Sequence, residues 1–286
     1  MAVQSHWFSV GATAAWTEAG VGAIATQAMV NASYGPLGLD LMRTGTLPAQ
    51  ALDTLLAGDK GRDLRQVAFV DAGGRTAAHT GARCLREAGH IAGDGFVVQA
   101  NMMLRATVWP AMARAFETTH GDFAERLLRV LEAAQDAGGD IRGQQSACMR
   151  IVSGDRGAPW ESVRLDLRVE DHPHPLGELR RLVQTDRAYR LMNEGDECLG
   201  KGEIERALQA YGAACSIVPD KLEPPFWYAV ALADQGRVEE AMPLFERVVM
   251  AEPSWAELFA RLTAAGLARE NPQLLKRLQA LVAGAR

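Results

Sequence analysis

Near the end of this chain the sequence repeats itself at a fixed spacing of 34 residues. Gly202 and Gly236, Glu205 and Glu239, Ala207 and Ala241, Tyr211 and Phe245, and Pro219 and Pro253 are pairs at that spacing. A period of this length fits one helical hairpin per repeat, each unable to bury its apolar face alone, so neighbours must stack. The repeated residue types have a mechanism. Ala207 and Ala241 are small where two helices cross closely, and Tyr211 and Phe245, one turn on, lie on the same helix face. Pro219 and Pro253 stop each second helix because proline cannot continue one. Gly202 and Gly236 suit the turn between helices, where a positive φ is cheap for glycine.

On these residues, segments Gly195–Pro219 and Phe226–Pro253 resemble tetratricopeptide repeats. Gly195 and Ala229 occupy the small-residue position of each repeat, whereas Cys198 stands where the family prefers tyrosine, and Trp227 and Tyr228 are shifted from the usual tryptophan position. Ser254–Ala285 is expected to add a third helix pair or cap through a stripe of Leu258, Leu262, Leu274, Leu278 and Leu281. The resemblance implies an all-α module over 186–286 with a concave groove for a peptide or a protein partner. The competing reading is that so short an array packs on its own chain or makes a homodimer.

Ahead of the repeats, strand and helix signals come in blocks. The pattern predicts strands over Phe8–Thr13, Val21–Gln27, Gln66–Val70, Thr76–Thr80, Phe96–Ala100, Ser146–Val152 and Val163–Val169. Helices are expected over Leu37–Thr44, Pro48–Ala57, Val108–Thr118 and Phe123–Ala137, and Asp71-Ala72-Gly73-Gly74 reads as a hairpin turn. Grouped strands and grouped helices favour an α+β fold over one in which the two alternate singly. A domain over 1–174 is expected, with Pro173 and Pro175 marking a linker.

Composition excludes several function classes. A net charge of −5, with 30 Lys+Arg against 35 Asp+Glu and no basic run, argues against nucleic acid as a partner. No apolar run reaches the roughly 20 residues of a membrane span, and the start has no secretory signal. Cys84, Cys148, Cys198 and Cys215 lie far apart without a CxxC pair, as reduced thiols of a cytoplasmic protein would. Neither G-x-G-x-x-G nor a lysine-bearing glycine loop is present, so no nucleotide cofactor is expected.

Several short motifs, in order, resemble the bacterial domain-of-unknown-function family 1028 over residues 2–180. They include Val3-Gln4-Ser5-His6-Trp7-Phe8, Gly22-Ala23-Ile24-Ala25-Thr26-Gln27, Tyr34-Gly35-Pro36-Leu37-Gly38, Ala78-His79-Thr80-Gly81, Val98-Gln99-Ala100-Asn101-Met102 and Gly138-Gly139-Asp140-Ile141-Arg142. The resemblance implies an N-terminal-nucleophile (Ntn) hydrolase fold, a four-layer αββα sandwich, and an amidohydrolase acting on a small amide or peptide. It also implies a further strand, of the form Thr-Phe-Ser-Ile-Val-Ala, ahead of the segment that opens here. In an Ntn hydrolase the first residue of that strand supplies both nucleophile and α-amino base. The expectation is a start upstream of Met1, because removing a central strand leaves two neighbours unpaired; the alternative is a chain that has lost the strand and its chemistry.

Within this frame Asn101, Thr26 and His79 are the expected catalytic residues. Asn101 would donate to an oxyanion, and Thr26 would orient substrate. Gln27, Asn31 and Gln99 are expected to bind the substrate amide. For each, the plain alternative is a buried polar group satisfying nearby backbone. Ser5 and His6, adjacent on an expected strand, point to opposite faces and form no dyad. Asp140 and Arg142 read as an ion pair fixing a glycine-rich loop. His172-Pro173-His174 beside Glu170 and Asp171 has metal-ligand spacing, but no metal site is expected in a proline-marked linker. The rival to the hydrolase is a non-enzymatic interaction or assembly protein that uses the sandwich as scaffold.

Overall fold

A computed structural model describes residues 1–284; Ala285, the last residue of the expected third helix pair, lies outside them. The chain divides into two units, Met1–Val183 and Gln184–Arg286.

In the first unit the order is β1 (Ala2–Ser5), α1 (Gly11–Ala14), β2 (Ala15–Glu18), β3 (Gly22–Ala28), α2 (Tyr34–Arg43), α3 (Pro48–Gly58), β4 (Arg65–Asp71) and β5 (Thr76–Thr80). There follow β6 (Gly89–Gly93), β7 (Phe96–Ala100), α4 (Val108–Thr118), α5 (Phe123–Asp136), β8 (Ser146–Val152), α6 (Pro159–Ser162), β9 (Val163–Val169) and α7 (Pro175–Gly200). All strand pairs are antiparallel, in three sheets ordered β1-β8-β9, β2-β3-β4-β5 and β6-β7.

Each sheet buries the face its alternation dictates. Ile24, Val67 and Phe69 of β3 and β4 pack under α2 and α3 with Tyr34, Leu39 and Leu52. Gly38 of α2 sits so close to the sheet that a Cβ there would lie 2.6 Å from both Ile24 and Phe69 side chains, which is why the helix can rest flat on it. On β8 and β9, Ala147, Met149, Leu165 and Val169 meet Leu128 and Leu131 of α5 and Leu176, Leu179 and Val183 of α7. The opposite face of β1 and β8, through Val3 and Cys148, packs on Val10, Ala14 and Ala15. The β6-β7 hairpin rests on α4 and α5 through Phe96, Val98, Ala113 and Val130.

Two expectations are corrected. Phe8–Thr13 is not a strand: Ser9 takes a left-handed φ of 53°, and the chain then turns into α1, while β1 lies earlier. Pro173 and Pro175 do not mark a linker, because Pro175 begins a 26-residue helix in whose first turn no amide hydrogen is required. The unit boundary falls inside α7.

The second unit contains the last part of α7 and then α8 (Ile204–Ile217), α9 (Glu223–Asp234), α10 (Val238–Ala251), α11 (Ser254–Ala264) and α12 (Pro272–Gly284). Gly202 and Gly236 hold the turns at φ 76° and 78°. Ala207, Ala241 and Phe245 are fully buried and Tyr211 nearly so. A Cβ on Gly195 would lie 2.9 Å from the Tyr211 ring, so the two repeat positions interlock. Phe245 packs edge-on to Phe226 and Phe259, with ring centroids 6.1 and 5.3 Å away.

Candidate functional site

A cavity of about 190 Å³ in the first unit is lined by Met1–Gln4 of the β1 segment, by Phe96–Ala100 of β7, by Ala23, Ala25 and Gln27 of β3, and by helices α4 and α5. Its walls are mostly apolar, and two strand edges border it. Met1 and Arg150 exchange both backbone hydrogen bonds, at 2.7 and 2.8 Å, so by antiparallel alternation Val3 also faces β8 while Ala2 and Gln4 face away. β1 has β8 as its single sheet neighbour, which leaves that edge unpaired. In the β6-β7 hairpin the two-residue turn Asp94-Gly95 makes Gly93–Phe96 the closing hydrogen-bonded pair. Val97 and Gln99 therefore present their backbone groups on the side away from β6. Ala2, Gln4, Val97 and Gln99 all line the cavity.

Its polar side chains are carboxamides. Gln99 donates through Nε2 to the Ala25 carbonyl at 3.2 Å, and its Oε1 is buried without a partner. Gln4 has the complementary orphan, a buried Nε2. With Gln27 they offer unspent donors and acceptors in a mostly apolar cavity, where a polar group gains most from a partner.

The remaining expected residues lie around this cavity or apart from it. Thr26, fully buried, alternates onto the opposite face of β3 from Ala25 and Gln27, and its hydroxyl donates to the Asn31 carbonyl at 3.2 Å. Asn31 caps the following turn, its Oδ1 accepting from Ser33 N at 3.2 Å and Ser33 Oγ at 2.7 Å. Asn101 donates Nδ2 to Gln66 Oε1 at 3.0 Å. His79 lies on β5 with Nε2 2.9 Å from the Arg62 carbonyl. His6 lies just past β1, its backbone N–H 3.5 Å from Asp140 Oδ2 and its Nδ1 buried and unpartnered. Asp140 and Arg142 form the expected pair at 2.7 Å. The His174 N–H donates to His172 Nδ1, and no cluster of three or more metal-ligating side chains occurs among the described residues.

Gln66 is the residue that the sequence reading passed over. It is completely buried, and its Nε2 lies 2.9 Å from Ala100 O, 3.1 Å from Gly89 O and 3.0 Å from Thr80 Oγ1. One carboxamide thus joins β4, β5, β6 and β7. The available signal was a glutamine heading the apolar run Val67-Ala68-Phe69-Val70.

Backbone strain gathers beside these strands. Among the described residues, the non-glycine ones with positive φ are Ser9, Ala28 and Met102, at 53°, 63° and 55°, after β1, at the end of β3 and after β7. Each such conformation costs on the order of 1 kcal/mol or more.

The fold and cavity define a two-unit protein: a mixed α+β domain with a partly open cavity holding three glutamine side chains, followed by helical repeats. A family model described as a family of unknown function (DUF1028) matches residues 1–179, and a tetratricopeptide-repeat model matches residues 199–266. The chain belongs to the DUF1028 family of unknown function. It is similar to the crystal structure of protein SPO2555 from Silicibacter pomeroyi, of the same family, at 30% identity and a TM-score of 0.58, over 64% of this chain and 77% of that one. No curated protein matches.

Proposed function

We propose that residues 1–174 form an αββα sandwich of the Ntn-hydrolase type that hydrolyses a small amide or peptide, and that residues 186–286 are a protein-interaction module. One observation carries the hydrolase reading: the cavity bordered by the unpaired edges of β1 and β7. A further strand seated there would hydrogen-bond to both edges and bring β6-β7 and β1-β8-β9 into one sheet. Its leading hydroxyl residue would add to the substrate carbonyl carbon. The free α-amine would take the hydroxyl proton and return it to the departing amine, and water would then release the acyl group. Gln27 and Gln99 would hold the substrate amide, and Asn101, the residue after β7, would give its second Nδ2 hydrogen to the oxyanion.

The test is a form carrying an added strand whose first residue, after methionine removal, is threonine, alongside the same form beginning with alanine. Both are assayed on a panel of fluorogenic amides. Turnover by the threonine form alone, weakened by Gln99→Leu, is expected. Equal turnover by both forms, or none by either when both are folded, defeats the reading.

A further inference from the structure

A second depression shares no residue with the cavity. It is lined by Thr80 at the end of β5, by Gly81 and Cys84 after it, by Glu87 ahead of β6 and His90 within it, and by Trp109 of α4. Within it, Thr80 Oγ1 lies 2.8 Å from His90 Nδ1. Gln66 Nε2 also faces the Gly89 and Ala100 carbonyls, which only accept, so the amide nitrogen is fixed there and offers hydrogens to Thr80, not a lone pair. In the imidazole tautomer protonated at Nε2, the Thr80 hydroxyl donates its own hydrogen to His90 Nδ1. Burial first, and the neighbouring His79 second, lower the His90 pKa, which favours the neutral imidazole, the form that can present a bare Nδ1. Gly89 completes the geometry: a Cβ there would lie 2.5 Å from the Trp109 indole, so the ring lies flat against β6 beside His90 as an aromatic wall.

We propose that Thr80 is a nucleophile, with His90 as its general base, in an acyl-transfer site for small activated carboxylic esters. The Thr80 Oγ1 lone pair bonds to the ester carbonyl carbon as the hydroxyl proton passes to His90 Nδ1. The tetrahedral adduct expels the alcohol, which leaves with that proton. In a slower second step His90 Nδ1 takes a proton from water, the water oxygen bonds to the acyl carbon, and Thr80 Oγ1 leaves with that proton, so the acid is released and the acyl-threonine accumulates meanwhile. Gln66, by donating to Thr80 Oγ1, is a positioning residue. The site is separate from the amide-binding cavity and does not depend on any strand added there.

The experiment uses the full chain in a Cys84→Ala background, since that thiol lines the same depression and would itself react. The protein is incubated with p-nitrophenyl acetate, nitrophenolate release is followed, and peptides are mapped by mass. The expected result is one acetyl group on Thr80, retained in Thr80→Ser, absent in Thr80→Val, and formed about a hundredfold more slowly in His90→Gln. Thr80→Ser guards against a folding defect in the valine variant. Acetylation confined to lysines or the amino terminus, no adduct on the folded protein, or the same rate with His90→Gln would overturn the assignment.

Discussion

Replacing Gln66 by leucine tests whether one carboxamide holds the β6-β7 hairpin to the four-stranded sheet. Gln66 is fully buried, and its side chain accepts from Asn101 and lies within 3.1 Å of the Thr80, Gly89 and Ala100 oxygens. An amide nitrogen has two hydrogens, so at any instant the group makes two donated bonds and one accepted bond. Three bonds at a net ~1 kcal/mol each set a floor of about 3 kcal/mol. Leucine has similar bulk but removes the acceptor of the part-buried Asn101 Nδ2, and a polar group left without its partner costs ~1–3 kcal/mol by itself. The expected loss is therefore about 4–6 kcal/mol, a large part of a domain stability of roughly 5–15 kcal/mol. Urea unfolding followed by circular dichroism gives the total. Hydrogen exchange locates it, with Gly89–Ala100 amides losing protection before those of β3 and β4. A loss below about 1 kcal/mol, or loosening spread evenly over the unit, would refute the junction role.

Two other perturbations probe other parts. Asp59 sits in a bridge with Arg65 at 2.8 Å, and the Arg65 hydrogen bond above all, helped by the Gly61 N–H, holds its carboxyl down at about 2 against an ordinary 3.8. A depressed carboxylate adds stability above the unfolded pKa and loses it as pH falls through the folded one. Wild type should therefore exceed Asp59→Asn by about 2 kcal/mol at pH 7, with the gap closing between about pH 4 and 2; a gap constant across that range would be contrary. Phe245→Ala empties a fully buried site between Phe226 and Phe259 and should cost about 3–5 kcal/mol, read as lost exchange protection in Gln184–Gly284. Unchanged protection there would mean that the repeat core is not built around that ring.

The repeats were legible because their 34-residue spacing encodes contacts between neighbouring helices, and a small residue at 195 or 207 states locally what must cross it. The first unit was legible where the strand signal is strong, as a short apolar run in β4 and β8 and as alternation in β9. It was illegible where a distant group decides. Phe8–Thr13 has strand-like composition, yet the Val10 N–H is taken by Ser146 Oγ at 3.0 Å, a partner 136 residues away, and the segment turns there. Four-residue β1 carries too little pattern to announce itself, and its place is set by pairing with β8. Gln27 and Gln99 were marked as substrate-binding candidates and do line one cavity. Thr80 and His90 went unpaired because no local rule brings an edge-strand threonine to a histidine on the next hairpin.

Backbone strain bears on the proposed site. Ser9, Ala28 and Met102 are not residues that favour positive φ, and single glycine substitutions would have relieved each one. Ala28 and Met102 stand where the chain leaves β3 and β7, and Ser9 lies in the turn that follows β1; these three strands line the cavity together with β4. These exits are also cross-linked: Gln99 bonds to Ala25, Ile141 N–H to Met102 O, and the His6 N–H reaches Asp140. Loops tied this tightly gain their conformation from tertiary contacts and so keep it without glycine. Side chains following such turns are presented at fixed angles, and a set of fixed angles around a cavity holding three glutamine side chains is what orienting a small amide requires. The same strain in loops with no common cavity would argue for stability alone; its gathering at these three exits argues for a site.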